Sequence, residues 1–197
     1  MSFVRGALFR IIRLPILWVM SLFHFPKFSG RENVPEGACV ICGNHSGLAD
    51  PIWAVLAMKP HTIPWIMAKK EVMEKPVIGR FLGAFGAFGV DRDNPDIHAV
   101  KKSLQVLKNG EQLLIFPEGT RVKNGKTVEP KSGAVLLANR AGVPILPVYI
   151  TRNRKPFQRI KVVIGEAYSP EFDSKKPSSE ELQAATRELM RKIYAME

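Results

Sequence analysis

The residues best suited to chemistry fall in one short stretch, Cys42-Gly43-Asn44-His45-Ser46-Gly47-Leu48-Ala49-Asp50-Pro51. A histidine followed by an aspartate at His-x4-Asp spacing can form a pair if the chain between them folds back. A carboxylate on Nδ1 fixes the tautomer of His45 and leaves Nε2 as a base. Such a base takes the proton of a substrate hydroxyl, which is general-base catalysis of acyl or phosphoryl transfer. No G-x-S-x-G elbow is present, so a serine hydrolase of that design is not indicated. Taken alone, His45 and Asp50 also fit a turn histidine capped by a nearby acid.

Further along the chain come residues that suit a phosphorylated polyol. Arg92 and Arg121 are permanently charged forks matched to phosphate oxygens. Gly119 lets backbone approach a ligand, Thr120 adds a hydroxyl, and Glu118 can accept a hydrogen bond from a substrate hydroxyl. Lys131 precedes a helix whose N-terminus, near Ser132-Gly133, favours anions. Singly, each has a plain reading as a solvated arginine or a loop acid. Ser46 is the competing covalent nucleophile, with no second base in view. Cys39, Cys42 and His45 form C-x2-C-x2-H, which raises zinc; no second pair of ligands follows, His61 is the nearest spare, and two structural cysteines in a buried strand is the reading preferred.

Alternating elements must position these residues. Ala38 to Cys42 reads as a short buried strand, and Asp50-Pro51 as a helix start with Asp50 at the N-cap. Thr62 to Ala68 reads as a strand in which Pro64 argues for an edge or a late start. The run Gly83 to Val90 should end as a strand whose tip carries Asp91 and Arg92, with the next helix starting at Asn94-Pro95. Gln112 to Phe116, Ile145 to Ile150 and Arg159 to Gly165 are the remaining strands, and Ser178-x-x-Glu181 is a capping box for the last helix. The pattern predicts an α/β fold with a central, mostly parallel (mixed) sheet and helices on both faces. Ligands in such sheets gather beyond the carboxyl ends of the strands, where His45, Arg92 and Glu118 to Arg121 fall.

The chain has 197 residues, 46% of them apolar, and a net charge of +11, so one folded domain with an anionic partner is expected. Residues 1–30 differ in kind from the rest. Arg5, Arg10, Arg13 and Lys27 lie among many large apolar side chains, and no acid precedes Glu32. The charge-free part, Leu14 to Phe25, falls short of the about 20 residues a span needs and contains Pro15. An interfacial anchor of two short helices broken near Pro15 is the preferred reading, with the arginines at the headgroups. A helix packed on the protein's own core and a tilted span with Arg10 and Arg13 snorkelling stay open. Arg152, Arg154, Lys155, Arg159 and Lys161 form a second basic cluster: a solvated face, or a dock for anionic lipid, an acidic carrier protein or coenzyme A phosphates. Nucleic acid is not expected as a partner, because the aromatics do not interleave with the basic residues.

Four segments occur in a telling order: Asn44-His45-x4-Asp50, Gly86 to Arg92, Ile115-Phe116-Pro117-Glu118-Gly119-Thr120-Arg121 and Val143 to Val148. Together they resemble the four blocks of the 1-acylglycerol-3-phosphate acyltransferase family, the HxxxxD glycerolipid enzymes that make phosphatidic acid. The resemblance runs from about Gly37 to Ile150. It implies His45 as general base, Asp50 as its orienting partner, and Arg92, Glu118, Gly119, Thr120 and Arg121 on the acceptor; Lys131, from its own place before a helix N-terminus, is added to the phosphate ligands. The implied substrates are lysophosphatidic acid and acyl-CoA or acyl carrier protein, with no cofactor and no metal. The implied place is a membrane surface, on the cytoplasmic face of the cell membrane. Residues 1–30 are then the anchor and residues 31–197 the acyltransferase domain. Glycerol 3-phosphate or another lysophospholipid is the alternative acceptor, and a non-catalytic basic membrane-binding protein is the alternative of a different class. Gly89 and Val122 depart from the family's usual bulky residue or proline and its usual serine, which puts acyl preference in question more than activity.

Overall fold

The computed structural model describes residues 2–197 except 61, 93, 123–126, 153, 154, 156 and 175, with side chains from residue 11 onward. Its apolar runs become strands: β1 (Phe25–Ser29), β2 (Val40–Gly43), β3 (Trp65–Lys69), β4 (Ala87–Val90), β5 (Leu113–Ile115), β6 (Ile145–Ile150) and β7 (Arg159–Ile164). They form one sheet in the order β1-β7-β6-β2-β5-β3-β4. Strands β6, β2, β5, β3 and β4 run parallel. Strand β7 is antiparallel to β6, and β1 is parallel to β7. The sheet is therefore mixed, and β1 and β7 run opposite to the five others. Every residue of β2, β5 and β6 is buried, as expected of parallel strands covered on both faces, whereas β7 alternates at the less covered side.

Helices α1 (Ser2–Phe23) and α2 (Asp50–Ala57) cover one face; α5 (Ile97–Lys108), α6 (Gly133–Ala141) and α7 (Ser179–Tyr194) cover the other. Short helices α3 (Lys70–Met73) and α4 (Pro76–Ala84) connect β3 to β4. Cys39 packs in the core on the α2 side and Cys42 in the core on the α6 side, as residues three apart on a strand should. Both are free thiols. Burial pushes the Cys39 thiol up to about 12 and the Cys42 thiol up as well, so neither is a ready thiolate ligand. The expected capping box is present on α7, where Ser178 and Glu181 exchange bonds. Gly142 stops α6 in the left-handed region at φ 65°, where glycine escapes the Cβ clash.

The N-terminal segment corrects three expectations. It is one helix with Pro15 inside it, not two broken at Pro15. Packing on the sheet holds it: Ile12, Ile16, Leu17 and Met20 lie against the core beside α2, which can offset the about 3 kcal/mol an internal proline costs. Arg13 is not at a membrane headgroup or snorkelling. It is buried, and its Nη2 donates to the Leu56 and Met58 carbonyls at 2.7 and 3.1 Å. Arg31 donates to the Ala57 and Leu56 carbonyls, both at 3.0 Å. Two guanidinium groups thus satisfy the orphan carbonyls at the C-terminus of α2 and oppose its dipole. Thirdly, Phe25–Ser29 is a strand of the sheet, a role the apolar and basic composition concealed. Elsewhere, β3 starts late, after Pro64, and α5 is capped by Asp96, whose carboxylate accepts from Ala99 N–H at 2.9 Å, rather than by Asn94.

Candidate active site

Strand β2 ends at Gly43, and the chain turns over the carboxyl edge of the sheet to reach α2. Asn44 makes that turn possible. It is fully buried, its Nδ2 donates to the Ile150 carbonyl and its Oδ1 accepts from Ile150 N–H, both at 2.8 Å. The side chain so continues the ladder to the end of β6 after β2's own backbone has left it. His45 then stands on the rim. Its Nδ1 lies 2.9 Å from Asp50 Oδ2, and its ring stacks on Phe116 with centroids 4.4 Å apart. Nε2 has no partner among the described residues. Gly43 allows this stack, because a Cβ there would come within 3.2 Å of the Phe116 ring.

Asp50 is the first residue of α2, and Ala49 is the N-cap; the expected cap role is corrected. Its carboxylate turns back on the loop instead. Oδ2 accepts from Ser46 N–H at 2.6 Å and Gly47 N–H at 2.7 Å as well as from His45. Three hydrogen bonds and the positive end of α2 thus compensate the burial of this carboxylate. Ser46 Oγ is buried with no partner among the described residues, so no base is in place to activate it as a nucleophile.

The loop after β5 is stitched to His45 from both sides. Val122 N–H donates to the His45 carbonyl at 2.8 Å, and His45 N–H donates to Glu118 Oε2 at 2.6 Å. Glu118, expected to receive a substrate hydroxyl, is only 4% exposed, and its other oxygen accepts from the Tyr194 hydroxyl. Burial raises its pKa, and the bonds from Tyr194 and His45 hold it down in part. Both its oxygens are thus engaged inside the protein, one on the backbone of His45 and one on Tyr194. Asn44, Phe116 and Tyr194 are site residues to which sequence reading gave no role. Tyr194 stands 76 positions from Glu118, and nothing in its local sequence marks it.

Arg92 follows β4, and its Nη1 donates to the Gly119 carbonyl at 2.5 Å. Lys131 Nζ in turn donates to the Arg92 carbonyl at 2.6 Å. Gly119 has φ 65°, a left-handed conformation that lets the loop turn beneath the Lys131 stem. Thr120 and Arg121 are exposed on the same loop. A cavity of about 620 Å³ opens beside this loop, with Arg92, Lys131, Asp91, Asp96 and Glu129 at its polar side and Met67, Val100 and Leu137 among its apolar lining. Phe116 belongs both to this cavity and to the His45 stack. The structure thus links His45, Asp50, Glu118, Gly119, Arg92 and Lys131 along one rim, with Thr120 and Arg121 on the same loop but outside these contacts. In the second basic cluster, Arg152 pairs with Glu197 at 2.6 Å and lies over the Tyr194 ring, while Lys155, Arg159 and Lys161 are exposed. Arg154 and His61 fall outside the described residues, as do the side chains of Arg5 and Arg10.

A family model described as Acyltransferase matches residues 26–151. The 1-acyl-sn-glycerol-3-phosphate acyltransferase of Bacillus subtilis is 35% identical over 91% of this chain and 92% of its own length. The protein of the same name from Pseudomonas aeruginosa is 31% identical over 79% of this chain and 64% of its own. Among solved structures, the crystal structure of the 1-acyl-sn-glycerophosphate (LPA) acyltransferase PlsC from Thermotoga maritima superposes with a TM-score of 0.67 at 27% identity, covering 89% of this chain and 73% of that one. The chain therefore belongs to the acyltransferase family, in its 1-acyl-sn-glycerol-3-phosphate acyltransferase group, and is an enzyme.

Proposed function

We propose that the protein transfers a fatty acyl group from a thioester, acyl-CoA or acyl carrier protein, to the sn-2 hydroxyl of 1-acyl-glycerol-3-phosphate, giving phosphatidic acid. The observation that carries this reading is the His45–Asp50 pair, 2.9 Å apart on the sheet rim, with Nε2 unengaged among the described residues. Nε2 takes the hydroxyl proton as the alkoxide oxygen attacks the thioester carbonyl. The C–S bond then breaks, and the thiolate leaves with the proton from His45. Asp50 holds the tautomer and offsets the imidazolium charge. The acceptor phosphate lies among Arg92, Arg121 and Lys131, and Gly119 and Thr120 offer backbone and hydroxyl contacts. The adjoining cavity, apolar in much of its lining with Arg92 and Lys131 beside Asp91, Asp96 and Glu129 at its polar side, has room for part of an amphipathic lipid. Glu118 acts from within, by fixing the backbone of the base.

The membrane surface is the second part of the proposal. No helix among the described residues is long and apolar enough to cross a membrane. Yet the outer side of α1 leaves Ile11, Leu14 and Trp18 about 70% exposed, which a soluble surface does not favour. Because β1 and β7 run opposite to the other strands, their N-terminal ends, Phe25 and Arg159, share the edge of the sheet that carries His45. Phe157, beside Phe23, is 68% exposed in a left-handed conformation at φ 62°, an unfavourable state for a bulky side chain. Leu48, next to His45, is 81% exposed. An apolar belt around the catalytic edge, with Lys27, Arg159 and Lys161 beside it, favours docking on anionic lipid at the cytoplasmic face of the cell membrane, with α1 as the anchor.

Assay of purified protein with lysophosphatidic acid against glycerol 3-phosphate, using both thioester donors, tests the reaction. Preferred turnover of glycerol 3-phosphate would move the acceptor to the alternative. For the surface, Leu14→Ser with Trp18→Ser should lower sedimentation with anionic vesicles while the thermal midpoint stays near wild type. Unchanged sedimentation would remove α1 as the anchor. Deleting residues 1–30 is no clean test, since it also removes β1 and the Arg13 cap.

A further inference from the structure

We propose that Tyr194, in the last turn of α7, is a positioning residue for His45, acting through Glu118; this rests on the reading of His45 as the base. The contacts form one line. The Tyr194 hydroxyl donates to Glu118 Oε1, and Glu118 Oε2 accepts from His45 N–H at 2.6 Å. The Tyr194 ring is itself held: Arg152 lies 4.9 Å over it, and Arg152 is paired with Glu197 at 2.6 Å. The C-terminal helix is thereby latched to the backbone of the base.

The latch has a chemical consequence. Glu118 is buried, and burial works against its charge. The groups that face it are Tyr194 from α7 and His45 and Asp50 from the turn between β2 and α2, with Arg152 and Glu197 behind Tyr194. The Tyr194 hydroxyl is the largest contact that keeps Glu118 ionised. Without it, Glu118 takes up a proton at higher pH, and a protonated carboxyl donates from one oxygen instead of accepting on both. The loop holding His45 then loses a fixed point.

Tyr194→Phe keeps the ring and removes the hydroxyl. The expected result with lysophosphatidic acid and an acyl thioester is a kcat about tenfold lower, a KM within about twofold of wild type, and an acidic limb of the pH profile moved upward. A role confined to folding would change the active fraction and leave the pH profile in place. In the Glu118→Gln background, Tyr194→Phe should have no further effect on kcat; independent roles would multiply. Wild-type kcat and pH profile in Tyr194→Phe, or multiplying effects in the double variant, overturn the proposal. If Tyr194→Phe is recovered unfolded, Arg152→Gln loosens the ring and leaves the hydroxyl in place. A kcat lowered by about twofold to threefold supports the latch, and an unchanged one overturns it. Wild-type activity that survives His45→Ala would instead remove the reading of the base, a separate outcome.

Discussion

Replacing Asp50 with asparagine separates charge from shape at the site. The amide oxygen can still accept from Ser46 and Gly47 N–H and from His45 Nδ1, so the turn should persist. What it loses is the charge facing the imidazolium that forms when Nε2 takes the proton. The two groups stand 2.9 Å apart at their nearest atoms, and Asp50 is fully buried. With charge centres about 4 Å apart and an effective dielectric of about 20, the attraction is about 4 kcal/mol, or about 10³-fold in rate. The interaction strengthens only as the proton moves, so kcat should carry the loss and KM should not. Three charge-assisted bonds become neutral ones, which costs about 2–4 kcal/mol of stability and lowers the thermal midpoint without abolishing the fold. Steady-state acyl transfer with a folded fraction measured in parallel is the assay. A kcat within about threefold of wild type, in folded protein, would refute the idea that the carboxylate supports a proton on His45.

Two other predictions concern the frame around that pair. Asn44→Ala leaves the N–H and carbonyl of Ile150 without the side chain that serves both, and should cost about 2–5 kcal/mol in urea unfolding; a change under about 0.5 kcal/mol would show that the bridge is idle. Glu118 has its folded pKa raised by burial, so the folded state holds its proton more tightly than the unfolded state. Its contribution to stability is therefore full below the ordinary carboxylate value, about 4.3, and is lost as pH rises from there through the folded value. Glu118→Gln should remove that fall, and parallel stability profiles in the two proteins would contradict the assignment.

Much of the fold was legible in the sequence because the central strands are short, wholly apolar and bounded by turn residues. Val40–Gly43 and Ile145–Ile150 cannot be mistaken for surface elements. Their carboxyl ends carried the polar residues, so the rim was readable as well. The order of strands was not readable, and the reversed β1 escaped notice. Phe25-Pro26-Lys27-Phe28-Ser29 looks like the tail of an apolar helix, and only its register on β7 makes it a strand. Arg13 carried a charge in an apolar segment, which suggests a lipid headgroup when the carbonyl ends of α2 are out of sight. Glu118 shows the same limit: local chemistry identified a carboxylate near the site, but its partners come from His45 and Tyr194, 73 and 76 positions away.

The most direct test is the turnover of lysophosphatidic acid by His45→Ala, measured on folded, vesicle-bound protein beside wild type. Loss of the base should lower kcat by about 10²–10⁴-fold while binding of the phosphorylated acceptor persists. Transfer at near wild-type rates by the alanine protein would contradict the role assigned to His45.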